Sequence, residues 1–415
     1  MKNFKIVFSS ILLLVSSLAQ SQDNAGLRMP AGFTAKLFAS NIGAARHIAI
    51  TKNGVVFAKL NAPNKEGKSI IRLEDNNQDG IAEKISGFGN YGGTGIYVRG
   101  NSLYASSDEA IFQYQLDVKD EVLNATSPKT IVKGLLDRRQ HSSKSITLDP
   151  QGNIYVNIGA YSNACQEKDR TPGSKGMRPC PILDSAGGIW KFDGQKENQV
   201  YGDGLRYATG LRNVIGLDWN TNTNSLFVTQ HGRDQLNSFF PNLYTDSQNA
   251  ELPAETMYEV KQGDDCGWPY VYFDPYQKKK ILNPEFGGNG KIESAPDALS
   301  PLVAFPAHMA PMALLFYQGS QFPAKYKEGA FIAFHGSWNR APLPQEGYFV
   351  AFIPFKNGKP AGDWEIFANG FAGSDIVANP RQARARPCGL AEGPDGSLYV
   401  SDDNHGNVFK ISFNK

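Results

Sequence analysis

Apolar and polar positions alternate along most of this chain in short runs that are separated by turn residues. Two such runs joined by a tight turn of Gly, Asn or Asp predict a β-hairpin. The hairpin recurs at intervals of roughly 50 to 70 residues, which is typical of repeat architectures. Five clear copies span residues 47–58, 95–105, 145–156, 216–228 and 389–400, and a weaker sixth copy spans 314–333.

Six copies of one hairpin predict an all-β fold, a six-bladed β-propeller, because blades stacked in a ring bury the faces that a lone hairpin exposes. The early strand 33–38 is expected to close the ring by pairing with 407–413. Residues 237–290 lack the repeat and predict a long insertion between strands. A β-sandwich with ordinary turns is the alternative, which the even recurrence over the whole length makes weaker.

Residues 1–19 have the pattern of a secretory signal peptide: basic residues first, then an apolar run from Ile6 to Leu18, then small residues before a cleavage site at Ala19. The apolar run is shorter than the ~20 residues that a spanning helix needs. We therefore expect a single propeller domain over residues 20–415, periplasmic or secreted, without stable membrane insertion.

Four cysteines, an even number in an exported chain, predict two disulfides. Cys165 and Cys180 bracket a loop and form the first expected pair. Cys266 and Cys388 form the second, which would be a long-range bridge. The chain has no CxxC and no CxxCH motif, so a zinc site of cysteine type and a covalently attached haem are not expected.

The charge balance excludes further classes of protein. The chain has 42 Lys and Arg against 40 Asp and Glu, and two of the lysines, Lys2 and Lys5, lie in the leader. A mature chain near neutrality argues against a general nucleic-acid binder and against a polybasic membrane anchor. Counts of 42 Gly and 24 Pro are consistent with a turn-rich fold.

Rare polar residues stand at the predicted strand ends, where the loops of a propeller converge on its axis. Several arginines among them favour a multiply anionic planar ligand, because guanidinium groups donate forked hydrogen bonds to carboxylates. A histidine there suits proton abstraction. The residues are Arg46, His141, Arg212, Asn213, His231, Gly232, Arg233, Asp234, His335, Arg340, Arg384 and Arg386.

Ordinary structural roles compete with these interpretations. Single histidines beside strands are more often structural hydrogen-bond donors, which we favour for His47 and His405, and His308 stays open. Arginines can form surface ion pairs that contribute little. Residues 75–83 match half of a calcium loop, but the twelfth position from Asp75 is Ser86 instead of Glu, so a polar turn is favoured.

Several motifs together resemble the glucose/sorbosone dehydrogenase family, in particular its sorbosone- and pyranose-dehydrogenase-like branch. The resemblance covers residues 33–411. The motifs are Leu-Arg-Asn-Val-Ile-Gly-Leu-Asp from 211, His-Gly-Arg-Asp from 231, Gly-Trp-Pro-Tyr from 267, His-Gly-Ser-Trp-Asn-Arg from 335, Arg-Pro-Cys-Gly-Leu from 386 and Pro-Asp-Gly-Ser-Leu-Tyr-Val-Ser-Asp-Asp from 394.

This resemblance implies a propeller that binds pyrroloquinoline quinone (PQQ) and Ca²⁺ and oxidises an aldose or related carbonyl sugar, with electrons leaving to an external acceptor. It implies that His141 is the general base and that Arg212 lies against the quinone. The other positions that it implies for the cofactor are Arg46, Asn213, His231, His335, Trp338, Asn339, Arg340, Arg384 and Arg386, and those near Ca²⁺ are Gly232, Arg233 and Asp234.

Two departures from the family pattern concern the substrate. Arg340 stands in the loop where the soluble glucose dehydrogenases have a lysine, and Gln140 replaces an aspartate beside the base. The alternative function is a non-catalytic propeller that binds glycans or partner proteins. A metal-dependent lactonase ranks last, because only Asp234 is well placed among the several carboxylates that it needs.

Overall fold

The computed structural model describes residues 24–295 and 297–414. Its strands form a ring of six small sheets, a six-bladed β-propeller, as the hairpin repeat predicts. The expected leader lies outside the described residues. No helix among those residues has the length and apolar character needed to cross a membrane.

Strands dominate the described residues. In chain order they are β1 (Phe33–Ala39), β2 (Ala45–Ile50), β3 (Val56–Leu60), β4 (Ile70–Glu74), β5 (Lys84–Phe88), β6 (Ile96–Arg99), β7 (Ser102–Ser106), β8 (Ala110–Gln115), β9 (Lys129–Lys133), β10 (Ile146–Leu148), β11 (Asn153–Ile158), β12 (Gly188–Asp193), β13 (Gln199–Val200), β14 (Leu205–Thr209), β15 (Val214–Asn220), β16 (Ser225–Gln230), β17 (Glu255–Val260), β18 (Asp264–Asp265), β19 (Val271–Asp274), β20 (Lys279–Leu282), β21 (Val303–Phe305), β22 (Pro311–Phe316), β23 (Gly329–Phe334), β24 (Phe349–Lys356), β25 (Lys359–Pro360), β26 (Glu365–Ala368), β27 (Pro387–Glu392), β28 (Leu398–Asp402) and β29 (Val408–Phe413).

The helices are short. Two are α-helices, α1 (Leu236–Phe239) and α2 (Asp246–Glu251), and both lie between β16 and β17. The 3₁₀ helices span Pro181–Asp184, Tyr201–Asp203, Pro284–Phe286, Ala324–Tyr326 and Pro380–Gln382.

Each blade is an antiparallel sheet whose first strand lies next to the axis. Blade 1 is β2–β5, blade 2 is β6–β9, blade 3 is β10–β12 with β14, blade 4 is β15–β17 with β21, blade 5 is β22–β24 with β26, and blade 6 is β27–β29 with β1. The inner strands β2, β6, β10, β15, β22 and β27 contact one another in that order around the ring. Parallel pairing of β13 with β9, and of β18 with β14, adds an outer strand to blades 2 and 3 from the chain of the following blade.

The first and last strands close the ring. β1 pairs antiparallel with β29, with Phe33 opposite Phe413 and Lys36 opposite Lys410. The expected pairing of 33–38 with 407–413 is therefore confirmed. The pairing places the first and last strands in one blade, which completes the ring.

An apolar layer fills each gap between neighbouring blades, because one face of every sheet must be buried. The layer between blades 5 and 6 is rich in aromatic side chains, and Phe33, Phe322 and Phe367 meet there edge to face or tilted, with ring centroids 4.8–5.9 Å apart. Tight turns between the two inner strands use Gly54, Gly152 and Gly396, whose φ angles of +88°, +91° and +79° favour glycine.

Two expectations need correction. Residues 237–290 are not wholly an insertion, because β17 within them is the third strand of blade 4. Cys165 and Cys180 form the expected disulfide. The expected bridge between Cys266 and Cys388 is wrong: both thiols are free and buried, since Cys388 packs beside the axis with Ile215 and Met312 and Cys266 packs between blades 3 and 4.

The loop at residues 75–83 is a polar turn in which side chains satisfy the loop's own backbone. Asp75 accepts hydrogen bonds from the backbone N–H of Asp79 at 3.0 Å and of Gly80 at 2.8 Å. Glu83 accepts from the backbone N–H of Asn76 at 2.7 Å. This arrangement agrees with the reading as a turn.

Candidate functional site

The upper face of the ring is where the inner strands begin and the second strands end. Hydrogen bonds across this face join side chains from five of the six blades. We call this group the cup; it consists of Arg46, His141, Arg212, Asn213, His231, Gly232, Asp234, His335, Asn339, Arg386 and Asp403.

Arg212 and Asp234 form the centre of one side of the cup. Arg212 precedes β15 and is 3% exposed. Its Nη2 donates to Asp234 Oδ2 at 2.8 Å and to Asn163 Oδ1 at 3.1 Å, and its Nη1 donates to the Gly232 carbonyl at 2.8 Å. Its Nε is buried and has no hydrogen-bond partner among the described residues. One N–H of a buried guanidinium is thus left for a ligand to satisfy.

The carboxylate of Asp234 accepts hydrogen bonds from three loops. Besides Arg212, its carboxylate accepts from Arg170 Nη2 at 3.2 Å and from Asn339 Nδ2 at 2.9 Å. Burial acts to raise the pKa of Asp234, but the nearby Arg212, His308 and Arg170 hold that pKa well below its usual range. The carboxylate is therefore ionised, and it offsets part of the positive charge of the cup.

Asp403 is the matching anion on the opposite side. It accepts from Arg46 Nη1 at 2.8 Å and from His335 Nε2 at 2.6 Å. Burial acts to raise its pKa, but His335 and Arg46 lower it. Arg386 lies next to this group, because its Nε and Nη2 donate to the carbonyls of His335 at 3.1 Å and Gly336 at 2.7 Å.

His141 lies in the loop before β10 with an unusual positive φ of +52°. Its Nδ1 donates to the Ala160 carbonyl at 2.5 Å, which leaves Nε2 as the unprotonated ring nitrogen. Burial, with help from the Arg212 charge, lowers the pKa of His141 to about 3. The ring is therefore neutral at pH 7 and has a lone pair available to accept a proton.

His231 and Asn213 complete the floor of the cup. His231 Nε2 donates to the Pro311 carbonyl at 3.0 Å, and burial lowers the pKa of His231 to about 4. Asn213 accepts from Asn157 Nδ2 at 3.2 Å. Asn213 precedes the inner strand β15 and His231 follows the second strand β16, so the ring geometry fixes their position.

Three arginines that the sequence analysis assigned to the cofactor or the metal bind groups outside the cup instead. Arg233 pairs with Glu285 at 2.5 Å, and both are buried. Arg340 is buried and donates to Glu251 at 2.7 Å. Arg384 donates to the carbonyls of Ala25 at 3.1 Å and Gly370 at 3.3 Å. The physical reason is that carboxylates and carbonyls outside the repeat compete for these guanidinium groups.

Trp338 lies on the same loop as His335 and Asn339 and is 58% exposed. An indole this exposed next to a polar cup is free to stack on a ligand ring. The amide oxygen of Asn339 is buried and has no partner. This loop thus offers one aromatic face and one unsatisfied acceptor.

Sequence reasoning missed several residues that belong to the cup or support it. Asp403 had a usable signal, because it follows a repeat strand just as His231 and His335 do. Asn163 and Arg170 had none, since they come from the loop at the Cys165–Cys180 disulfide. Glu255 lies beneath Gly232 and accepts its N–H at 3.0 Å. Burial raises the pKa of Glu255 to about 8, so it is mostly protonated at pH 7.

Residues 27–280 and 288–414 match the family model described as TrAA12-like. The chain belongs to this family. Within the described ranges, no cluster of three or more His, Cys, Asp or Glu side chains has metal-binding geometry.

Related proteins and structures fit this family membership. A pyrroloquinoline quinone-dependent pyranose dehydrogenase of Coprinopsis cinerea is 26% identical over 77% of this chain, which spans about half (46%) of that protein. The holo PQQ domain of pyranose dehydrogenase from the same fungus has a TM-score of 0.73 at 19% identity, over 93% of this chain and 97% of that one. A calcium structure of a Trichoderma reesei family AA12 enzyme has a TM-score of 0.75 at 16% identity, over 94% and 98%.

Proposed function

We propose that this protein is a PQQ-dependent dehydrogenase that oxidises an aldose or related carbonyl sugar and passes the electrons to an external acceptor. The observation that carries the proposal is the buried, unpartnered Nε of Arg212 at the centre of a cup with three arginines. Support also comes from relatives whose names state PQQ dependence. The leader expected from the sequence and the Cys165–Cys180 disulfide suit a periplasmic or secreted enzyme.

The residues of the cup fit the quinone. PQQ is a flat polyanion, and Arg46, Arg212 and Arg386 would supply the guanidinium groups that hold it. Asp234 and Asp403 fix two of these arginines in place. The unpartnered Asn339 oxygen would accept from a ligand donor. When bound, the quinone would supply the hydride acceptor.

The donors proposed for Ca²⁺ do not fit as they stand. The Gly232 carbonyl already accepts from Arg212, and the Asp234 carboxylate accepts from Arg212, Arg170 and Asn339. Calcium bound to the Asp234 carboxylate would have to displace at least one of these donors. We therefore derive no step through calcium. Activity of the reconstituted protein with and without a calcium chelator tests whether the enzyme needs Ca²⁺.

His141 is the proposed general base. Its Nε2 would accept the proton of the sugar hydroxyl while Nδ1 stays bound to the Ala160 carbonyl, which fixes the ring. An anionic ligand in the cup would raise the low pKa of His141, because it screens the Arg212 charge. Trp338 would provide the stacking face for the sugar ring.

Titration of the apo protein with PQQ, followed by dye reduction with a panel of aldoses and aldehydes, tests the proposal. We expect stoichiometric binding and sugar-dependent reduction. The variant His141→Ala should keep PQQ binding and lose turnover, whereas His405→Ala, an exposed histidine outside the cup, should keep both. No PQQ binding would reject the function and favour a binding propeller. Full turnover of His141→Ala would reject only the base.

A further inference from the structure

A second cavity lies on the propeller axis beneath the cup. It has a volume of about 230 Å³ and is lined by all six inner strands. Ile215, Met312 and Cys388 are buried together and precede the lining residues on their strands, so they lie on the side of the cup. The two spaces are therefore separate compartments of one axis.

At one level of its wall, this axial cavity has polar residues on one side and apolar residues on the other, while Glu392 and His47 line it one and two residues away along their strands. Each inner strand contributes one residue at the same repeat position: Ala49, Tyr97, Thr147, Asp218, Leu315 and Ala391, in blade order. The three polar residues belong to the consecutive blades 2, 3 and 4. Tyr97 and Asp218 are close enough to interact electrostatically. Three oxygen-bearing side chains thus face one side of the same space.

Two carboxylates of this cavity have no cation partner. Asp218 accepts only backbone N–H groups, of Phe316 at 2.8 Å and Trp219 at 2.9 Å. Glu392 accepts from the Gln318 N–H at 2.7 Å. Within the part of the chain that the structure describes, neither carboxylate has a Lys, Arg or His nitrogen within 4.0 Å, unlike the carboxylates of the cup.

The other titratable groups near the cavity do not neutralise this charge. His47 lines it, but its Nε2 donates to the Met312 carbonyl at 2.7 Å, and burial lowers the pKa of His47 to about 4. Arg99 is exposed and donates to the Pro150 carbonyl at 2.7 Å. Burial raises the pKa of Tyr97 to about 12, so its hydroxyl stays neutral. Asp218 and Glu392 are partly buried, and a carboxylate that is partly withdrawn from water without a cation partner favours the uptake of a proton or a cation.

An unsatisfied hydroxyl points to a ligand independently of the carboxylates. Thr147 is 1% exposed, lines the cavity, and its Oγ1 has no hydrogen-bond partner. Its neighbours on β10, Ile146 and Leu148, pack into the apolar layer toward blade 2, so Thr147 lies on the opposite face of the strand. Buried hydroxyls without partners are rare in folded proteins.

We propose that the axial cavity binds one small monovalent cation, an alkali or ammonium ion, through the Asp218 carboxylate and the hydroxyls of Thr147 and Tyr97. Neutral hydroxyl oxygens and a carboxylate already shared with backbone N–H groups suit a weakly hydrated cation. A divalent ion would need six or more oxygen ligands or several retained waters. Ala49, Leu315 and Ala391 supply no side-chain oxygen, and Glu392 on that half of the wall already accepts from the Gln318 N–H.

Thermal unfolding of the full mature chain tests the site without any enzymatic readout. The protein is dialysed into tetramethylammonium chloride at pH 8, since that ion is too large and too weakly coordinating for the site. Sodium, potassium and ammonium chloride then replace it at constant ionic strength. We expect at least one to raise the Tm saturably by roughly 2–4 °C. The absence of any saturable rise, or a rise with Ca²⁺ or Mg²⁺ alone, would overturn the proposal.

Two variants and a matched control locate the site. Asp218→Asn should abolish the saturable rise, and Thr147→Val, which keeps the shape and the charge, should weaken the apparent affinity about 10-fold. Asp363→Asn removes the same charge at an exposed position and should respond as the wild type does. An unchanged cation response in both Asp218→Asn and Thr147→Val would reject the assignment, and Thr147→Val decides if Asp218→Asn does not fold.

Discussion

The cup and the axial cavity are built by the same six inner strands, yet they treat charge in opposite ways. In the cup, Asp234 and Asp403 each bind cations that come from other blades or loops. In the cavity, Asp218 and Glu392 bind only backbone N–H groups. Loops of variable length at the upper face can bring Arg and His side chains into contact with carboxylates, whereas the regular strand segments around the cavity cannot.

The same difference appears in the pKa values of the carboxylates in the two regions. The pKa of Asp234 and of Asp403 is depressed because neighbouring Arg and His side chains outweigh burial. Burial raises the pKa of Asp218 to about 7, and nothing but backbone N–H groups opposes it. Carboxylates in the same ring therefore make opposite contributions to stability as the pH changes.

Asp234→Ala should lower the free energy of unfolding by about 3–5 kcal/mol, because it leaves the buried Arg212 guanidinium without its carboxylate. Urea denaturation at pH 7 measures it. Asp218→Asn, the comparison in the cavity, should leave the stability unchanged or raise it in tetramethylammonium buffer. Equal losses in the two variants would contradict the contrast between the two regions.

Asp403→Asn should cost about 2 kcal/mol at pH 7, since the amide cannot replace the charged hydrogen bonds to Arg46 and His335. The folded-state pKa of Asp403 is depressed, so its contribution is present above the ordinary value near 4 and is lost as the pH falls. Urea curves at pH 7 and pH 3 should therefore show a smaller difference between variant and wild type at pH 3. A difference that grows in acid would contradict this.

Asp218 should show the reverse pH dependence. Its folded pKa is raised, so its stabilising effect is present below pH 4 and is lost as the pH rises through about 7. Relative to the wild type, Asp218→Asn should gain stability between pH 4 and pH 8, on the order of 1 kcal/mol in tetramethylammonium buffer. The same urea series measures it, with Asp363→Asn as the charge-matched control. If the difference in stability between the variant and the wild type did not change with pH, water would already solvate the ionised Asp218 carboxylate.

Glu255→Gln should change the stability at pH 7 by less than about 0.5 kcal/mol, because a carboxyl with its pKa raised to about 8 is mostly neutral there and an amide oxygen can still accept from Gly232. Above pH 8 the variant should become the more stable protein, since the wild-type carboxyl must then ionise in a buried place. Thermal unfolding at pH 7 and pH 9 distinguishes the two. A loss of several kcal/mol at pH 7 would mean that Glu255 is ionised.

Periodic features of this chain could be read from its sequence, and non-periodic ones could not. The hairpin repeats and the β1–β29 closure follow from alternation and turn residues, so six blades were predictable. The convergence of Arg46, Arg212 and His335 followed from their shared place at strand ends. The side-chain direction of Arg233 was not predictable, because its partner Glu285 lies 52 residues away in a segment without repeats.

The same limit applies to the second pair of cysteines. An even number of cysteines favours a second bridge, but whether two thiols meet depends on distances that only the assembled ring determines. Cys388 faces the axis, whereas Cys266 packs in a layer between blades. Asp403 is different, because its position directly after a repeat strand can be read from the sequence. It was missed because the search at strand ends favoured His and Arg side chains.

The pairing of β1 with β29 also determines how the molecule would yield to force. Phe33 and Phe413 lie opposite each other, so a pull applied to both chain ends opens this ladder one rung at a time instead of shearing all its hydrogen bonds together. We expect blade 6 to be the first blade to open under such a pull, which would leave the ring without its closing pair of strands.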